Sequence, residues 1–208
     1  MASQLIGLFR TLSWSNFQRR HSAAPGPGEF AIGAETHANL SQNNITTKVE
    51  AVPGSAPTRY RVKDDITITV SFGGDSWVED WVMARDADFR DNLLNHEQGH
   101  YNIAALVARD IFIELMQLKS QSFASNIDAQ RAIANIWTTQ GGKAQAIQDL
   151  YDEENQAHHG ANAAGQARWD GFLTTAFTQA RVPPMNAPDG TSYKVTLMSV
   201  LNGAGLRP

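Results

Sequence analysis

The chain contains no cysteine, which excludes disulfides, thiolate metal ligands and a cysteine nucleophile. It contains no apolar run approaching the roughly 18 residues that a membrane-spanning helix needs, so no span is expected. Neither sign of charge dominates: 17 basic against 21 acidic residues give a net charge of −4, spread along the chain. Without a basic stripe, nucleic acid is not an expected partner. The start, MASQLIGLFRTLSW, has a short apolar patch but no basic n-region or clear cleavage site. It is therefore not expected to act as a signal peptide, and the compartment is left open. No G-x-S-x-G, P-loop or dinucleotide fingerprint is present, so serine hydrolase, NTPase and dehydrogenase readings have no support. No repeat of fixed period is found either.

What is present is a core's worth of apolar residues, 42% of 208, enough for one domain. The pattern divides it into an N-terminal segment and loop (1–29), a β-rich part (30–75), a helical part (76–181) and a C-terminal loop with a closing strand at 193–200. Residues 21–29 are rich in Pro, Gly and Ala and read as a loop, with Trp14 and Phe17 as anchors before it. Alternating patterns at 30–38, 45–52, 59–62 and 65–72 predict short strands, and their close spacing favours antiparallel pairing. Residues 77–90 read as a loop and a helical turn leading into a long helix at 91–119. Ser125 and Asp128 mark a further helix start, Gly141-Gly142 a break, and 144–157 and 162–181 two more helices. The expected class is α+β, zincin-like: a small N-terminal antiparallel sheet, then a mostly helical part.

The 91–119 helix carries the chemistry. Residues 96–100 read HEQGH, an instance of H-E-x-x-H. At a spacing of four, His96 and His100 share one helix face with Cβ atoms roughly 6 Å apart, within reach of one zinc ion at about 2.0–2.1 Å. Glu97 projects about 100° further round. That offset suits a general base acting on water rather than a ligand. Two histidines and a glutamate also fall into this pattern by chance on solvated helices. The periodic, apolar helix around them is the context that argues against chance here.

A catalytic zinc takes three protein ligands and keeps one position open. The metzincin continuation is excluded, because Ile103 and Leu106 stand where its Gly and His would be. Asp110 and Glu114 lie about 15 and 21 Å further along the helix axis and cannot close the site. The richest remaining stretch is 151–160, YDEENQAHHG, with two His, three acids and a Tyr. Its alternative reading is a solvated helix terminus, where His is favoured by the dipole. His37, in a strand, is a weaker candidate.

LSWSNF at 12–17, SWV at 76–78, LLNHEQGHYNIAALVARD at 93–110, YDEEN at 151–155, HHG at 158–160 and QARW at 166–169 follow one another in an order that resembles a bacterial family. It is that of the predicted secreted zinc-dependent proteases defined as domain-of-unknown-function family 922. In that family a YDxET-like segment is followed closely by His-Gly. The resemblance implies zinc as cofactor and His159, directly before Gly160, as third ligand, with His158 as the alternative. Asn155 departs from the family's Thr, and the distance to His-Gly is longer.

The function so implied is a metallopeptidase acting on a peptide or protein substrate. Zinc held by His96, His100 and His159 activates water, and Glu97 moves its proton. Tyr151 or His158 steadies the oxyanion, and Asp152 or Glu154 orients a ligand histidine from behind. The strand at 66–72 is expected to offer an edge to an extended peptide. The rivals are a non-catalytic zinc-binding or assembly module and a zinc amidase acting on cell-wall peptides.

Overall fold

The computed structural model describes residues 3–26, 31–50, 59–63, 65–153, 156–180 and 196–208. The fold is α+β, with short strands in the first 79 residues and helices after them. The 182–190 loop and the start of the expected closing strand lie outside the described residues.

Most of the described elements pack on one helix, Ala87–Leu118, 32 residues and about 48 Å long. Asp86 caps it, its carboxylate accepting from the Phe89 N–H at 2.8 Å. Between Tyr101 and Leu115 it is buried on every side, the pattern of a helix that is hydrophobic all round. Numbering in chain order, the helices are α1 (Asp80–Met83), α2 (Ala87–Leu118), α3 (Asn126–Asp152), α4 (Ala163–Ala180) and α5 (Leu197–Gly203). The strands are β1 (Gln4–Ile6), β2 (Gln18–Arg20), β3 (Ala34–Glu35), β4 (Ala38–Gln42), β5 (Thr47–Glu50), β6 (Arg59–Val62), β7 (Thr67–Phe72) and β8 (Trp77–Glu79). One core cluster fills the space between α2 and the strands, around Ile66, Ile68, Val70, Val107 and Phe112. A second lies between α2, α3, α4 and α5, with Leu106, Ile147, Tyr151, Trp169, Leu173 and Leu201. Arg109 and Asp110 form a buried pair at 3.0 Å, and Arg109 also donates to the Ala176 carbonyl, tying α2 to α4.

Four features differ from expectation. The β-rich part is mixed rather than antiparallel: β1 runs parallel to β7 and β2 parallel to β8. The first 20 residues, too short and polar to read as strands, supply those parallel partners. Phe17 still anchors as expected, buried against Phe72 with ring centroids 5.0 Å apart. Second, Gly141-Gly142 does not break the chain, and α3 runs through from a cap at Ser125. Each glycine costs about 1 kcal/mol there. Both face open space, and the buried Ile133 and Ile147 on either side hold the helix. Third, 77–90 begins with strand β8 before α1. Fourth, the described end of the expected closing strand is helix α5. Thr196 caps it by accepting from the Ser199 N–H, and Leu197 and Leu201 sit one turn apart in the second core.

The sheet orders place the edges. β7 lies between β1 and β4, so the edge expected of it is already taken on both sides. β3 is an edge strand, paired only with β8. The Gly33 carbonyl accepts from the Glu79 N–H at 2.8 Å, and the His37 backbone bonds to Ser76 and Gly73. By antiparallel alternation the N–H and C=O groups of Ile32, Ala34 and Thr36 then point outward, away from β8.

Candidate functional site

The HEQGH segment lies in the first half of α2 and faces the end of α3 and the loop that follows it. His96 is fully buried and Glu97 is 1% exposed. The His96 ring stacks on Tyr151, centroids 4.6 Å apart and nearly parallel. Its Nδ1 is bonded to Gln166 Oε1 at 3.2 Å, and His100 Nδ1 to Gln148 Oε1 at 2.6 Å. With a proton on each Nδ1, both rings turn Nε2 inward. The two Nε2 atoms are 3.0 Å apart, and each lies 3.1 Å from Asp152 Oδ1. His159 Nδ1 approaches the same oxygen at 3.9 Å. The donor atoms of His96, Asp152 and His159 all lie within 4.8 Å of one another.

The loop between α3 and α4 delivers His159. His158, His159 and Gly160 have φ of 44°, 46° and 78°, three successive left-handed residues of which only the last is glycine. That conformation costs on the order of 1–3 kcal/mol per non-glycine residue and persists only where the surroundings enforce it. It turns His159 into the cleft and His158 to the opposite side, beside Trp81 and Phe89. Of the two alternatives, the fold brings His159 to the HEQGH face.

Tyr151 is fully buried. Its hydroxyl donates to the His96 carbonyl at 3.1 Å and exchanges hydrogen bonds with Gln166. It does not line the cleft, so it is placed to hold His96 rather than to touch a substrate. A Cβ at Gly99 would come within 2.0 Å of that hydroxyl, so the glycine of HEQGH is what lets Tyr151 reach the helix backbone. Asp152, expected to orient a histidine from behind, instead has its Oδ1 among the histidine nitrogens. Gln148, Gln166 and Asp170 were not singled out. Gln166 donates on to Asp170, which in turn accepts from Asn95. Gln148 lies one turn before Asp152, and that spacing was the only signal available for it.

Electrostatics divide the site. Burial is the main cause that lowers the His96 pKa, to about 4. Burial also opposes charge on His100. There the Asp152 hydrogen bond and the Glu97 and Asp152 charges outweigh it and raise the pKa to about 9. Burial likewise works against Asp152 ionising, but the bonds from His100 and His96 hold its carboxyl well below the usual range. Burial lowers His159. Glu97 is pushed up by burial, and its Oε2 has no hydrogen-bond partner. The Thr36 hydroxyl comes near Glu97 without bonding geometry.

These groups form one wall of a cleft of about 510 Å³. The other wall is Ile32 and residues 34–39, from β3 into the start of β4, with Asp75. His37 lies there, bonded to Glu35 through Nε2 and to Asp75 through Nδ1, both at 2.7 Å. It is no part of the ligand cluster. The Glu35 bond, then the Asp75 bond, raise its pKa above 6.5, and both carboxylates are lowered. A group whose folded pKa is raised stabilises fully below its unfolded pKa and loses that contribution as pH rises through the folded one. The Glu35–His37–Asp75 clamp should therefore hold at pH 6 and release on the alkaline side. A proton NMR titration of His37 should give a midpoint above 6.5 that falls in Glu35→Gln, and less in Asp75→Asn.

The donor set of imidazole nitrogens and a carboxylate oxygen suits zinc. Tetrahedral ligands about 2.0–2.1 Å from one ion lie about 3.3 Å apart. The His96–His100 Nε2 separation of 3.0 Å and the two distances of 3.1 Å to Asp152 Oδ1 are close to that spacing, and His159 Nδ1 stands further off at 3.9 Å. The amide oxygens that accept from the two Nδ1–H groups are the outer partners that metal-binding histidines use. No helix among the described residues is long and apolar enough to cross a membrane.

Comparison with the curated proteins gave no match, and comparison with the solved structures gave none. A family model described as "Bacterial protein of unknown function (DUF922)" matches residues 20–160, from the first strands through HEQGH and Asp152 to Gly160. With about two thirds of its length matched and every residue of the His/Asp cluster inside the match, the chain belongs to this bacterial family of unknown function.

Proposed function

We propose that the protein is a zinc-dependent metallopeptidase. The observation that carries this reading is the meeting of His96, His100, His159 and Asp152 donor atoms beside a buried glutamate with a free oxygen. His96 and His100 would bind zinc through Nε2, with either His159 or Asp152 as the third protein ligand, which leaves one position open to water. Zinc bound there would polarise a carbonyl and make water a nucleophile at neutral pH. Glu97 would take the proton from the attacking water and return it to the leaving amine. Its raised pKa suits both directions of transfer. Gln166 and Gln148 would keep Nε2 of each histidine unprotonated, and Tyr151 would hold the His96 ring by stacking.

The outward backbone of Ile32, Ala34 and Thr36 supports a substrate bound as an added strand along the cleft. It takes the place that the sequence suggested for 66–72.

Elemental analysis of the purified protein should give one zinc per chain. His100→Ala should lose it, and chelation should lower the melting temperature of the wild type but not of the variant. A wild-type protein free of zinc even after dialysis against it would rule the reading out.

A further inference from the structure

A second cavity, of about 230 Å³, opens on the far side of His159. Its walls are Trp81, Phe89, Leu93, Gly33 and Ala161, and Arg85 lies at its rim, stacked 4.3 Å over Phe89. It is apolar where the zinc cleft is polar, and His159 borders both. Residues 31–37, which include β3, also border both: Ala31 and Gly33 line the apolar cavity, while Ile32 and residues 34–37 line the cleft.

We infer that this cavity is a specificity subsite that takes one large aliphatic or aromatic side chain of a peptide, next to the bond that is cut. The inference rests on the peptidase reading above. A peptide added along the outward edge of 32–36 alternates its side chains between the two faces of the sheet. The residue opposite Gly33 directs its side chain to Gly33's face, as cross-strand neighbours do. A Cβ at Gly33 would meet Val82 at 2.6 Å, Trp81 at 3.0 Å and Leu93 at 3.3 Å, so the Gly33 backbone packs directly against Trp81 and Leu93, two of the side chains that line the cavity. Because His159 forms both the mouth of the cavity and part of the metal cluster, the side chain that enters is adjacent to the reacting carbonyl. The volume accommodates one side chain and not a helix, so the occupant is a single residue of an extended segment.

The test uses the zinc-loaded full chain and Ala161→Phe, which fills the cavity from an exposed position, with circular dichroism to confirm its fold. A peptide library should be cleaved with Leu, Met or Phe favoured at one fixed position beside the scissile bond. In Ala161→Phe that preference should shift by about tenfold or more toward Gly and Ala. Cleavage without a fixed apolar position, or a preference unchanged in the variant, would overturn the subsite and leave the peptidase reading standing. Binding is read independently by titrating N-acetyl-leucinamide and N-acetyl-aspartamide while following the Trp81 indole N–H by NMR. Selective response to the leucine amide, lost in Ala161→Phe, supports the subsite even if no peptide is cut, in which case only hydrolysis is disproved. No selective response in the wild type overturns it.

Discussion

Glu97→Gln should retain zinc and the native fold while peptide cleavage falls by about 10²–10⁴-fold, the usual contribution of a positioned general base. Glutamine has nearly the same shape and cannot accept the proton. The Glu97 side chain is 1% exposed, its Oε2 has no partner, and burial raises its pKa. A buried carboxylate with one oxygen unpartnered among the described residues is costly to the fold, so replacing it with a neutral isostere should leave stability unchanged or slightly higher. A residue kept for packing alone would show neither this loss of turnover nor a stability that fails to fall with it. Parallel measurement of zinc content, melting temperature and casein cleavage separates the two. Wild-type cleavage by the variant would remove Glu97 from the mechanism.

Gly165→Ala should be the most damaging added methyl among the described glycines. The added Cβ would lie 1.2 Å from the Gln156 carbonyl oxygen and 2.3 Å from its carbon. Those are backbone atoms and cannot rotate aside, so α4 must move off the loop that precedes it. Overpacking of this kind costs about 3 kcal/mol, and for a chain of this size each kcal/mol lowers the melting temperature by about 2–4 °C. That loop is tightly wound. Gln156 donates to the Glu153 carbonyl, Ala157 to Tyr151, Asn162 to Ala157, and Gly165 to the Asn162 side chain. Displacing it carries His159 away from Asp152, so zinc affinity should fall together with stability. Gly141→Ala is the control, because nothing lies within 4 Å of its Cβ position. In mid-helix it should stabilise by about 0.5–1 kcal/mol. Equal melting temperatures for Gly165→Ala and wild type would show that the loop does not sit against α4.

Much of the site was legible because its spacing is helical. HEQGH fixes two histidines on one face and a glutamate beside them whatever surrounds the helix, since the backbone geometry alone does it. The long periodic helix, the Ser125 cap and the strands at 59–62 and 67–72 were readable for the same reason: each rests on contacts a few residues apart. The Asp152–His159 stretch was visible as a dense group of ligand-type residues, though not the role of each.

What the sequence could not fix depends on residues far apart in the chain. The parallel pairing of β1 with β7 joins Gln4 to Thr67, and no local pattern announces a partner that distant. The outer partners of the site are Gln166, 70 residues from His96, and Gln148, 48 from His100. Glutamine is common on solvated helix faces, so nothing in the sequence marks Gln166 as buried or either one as a histidine's partner. That His159 rather than His158 lines the cleft goes with left-handed backbone at both positions, which nothing in the residues themselves announces. Sequence alone determined the helical motif and the kind of chemistry its side chains can support. Tertiary structure decided which other groups meet it, because that depends on how buried surfaces fit across the chain and not on any period along it.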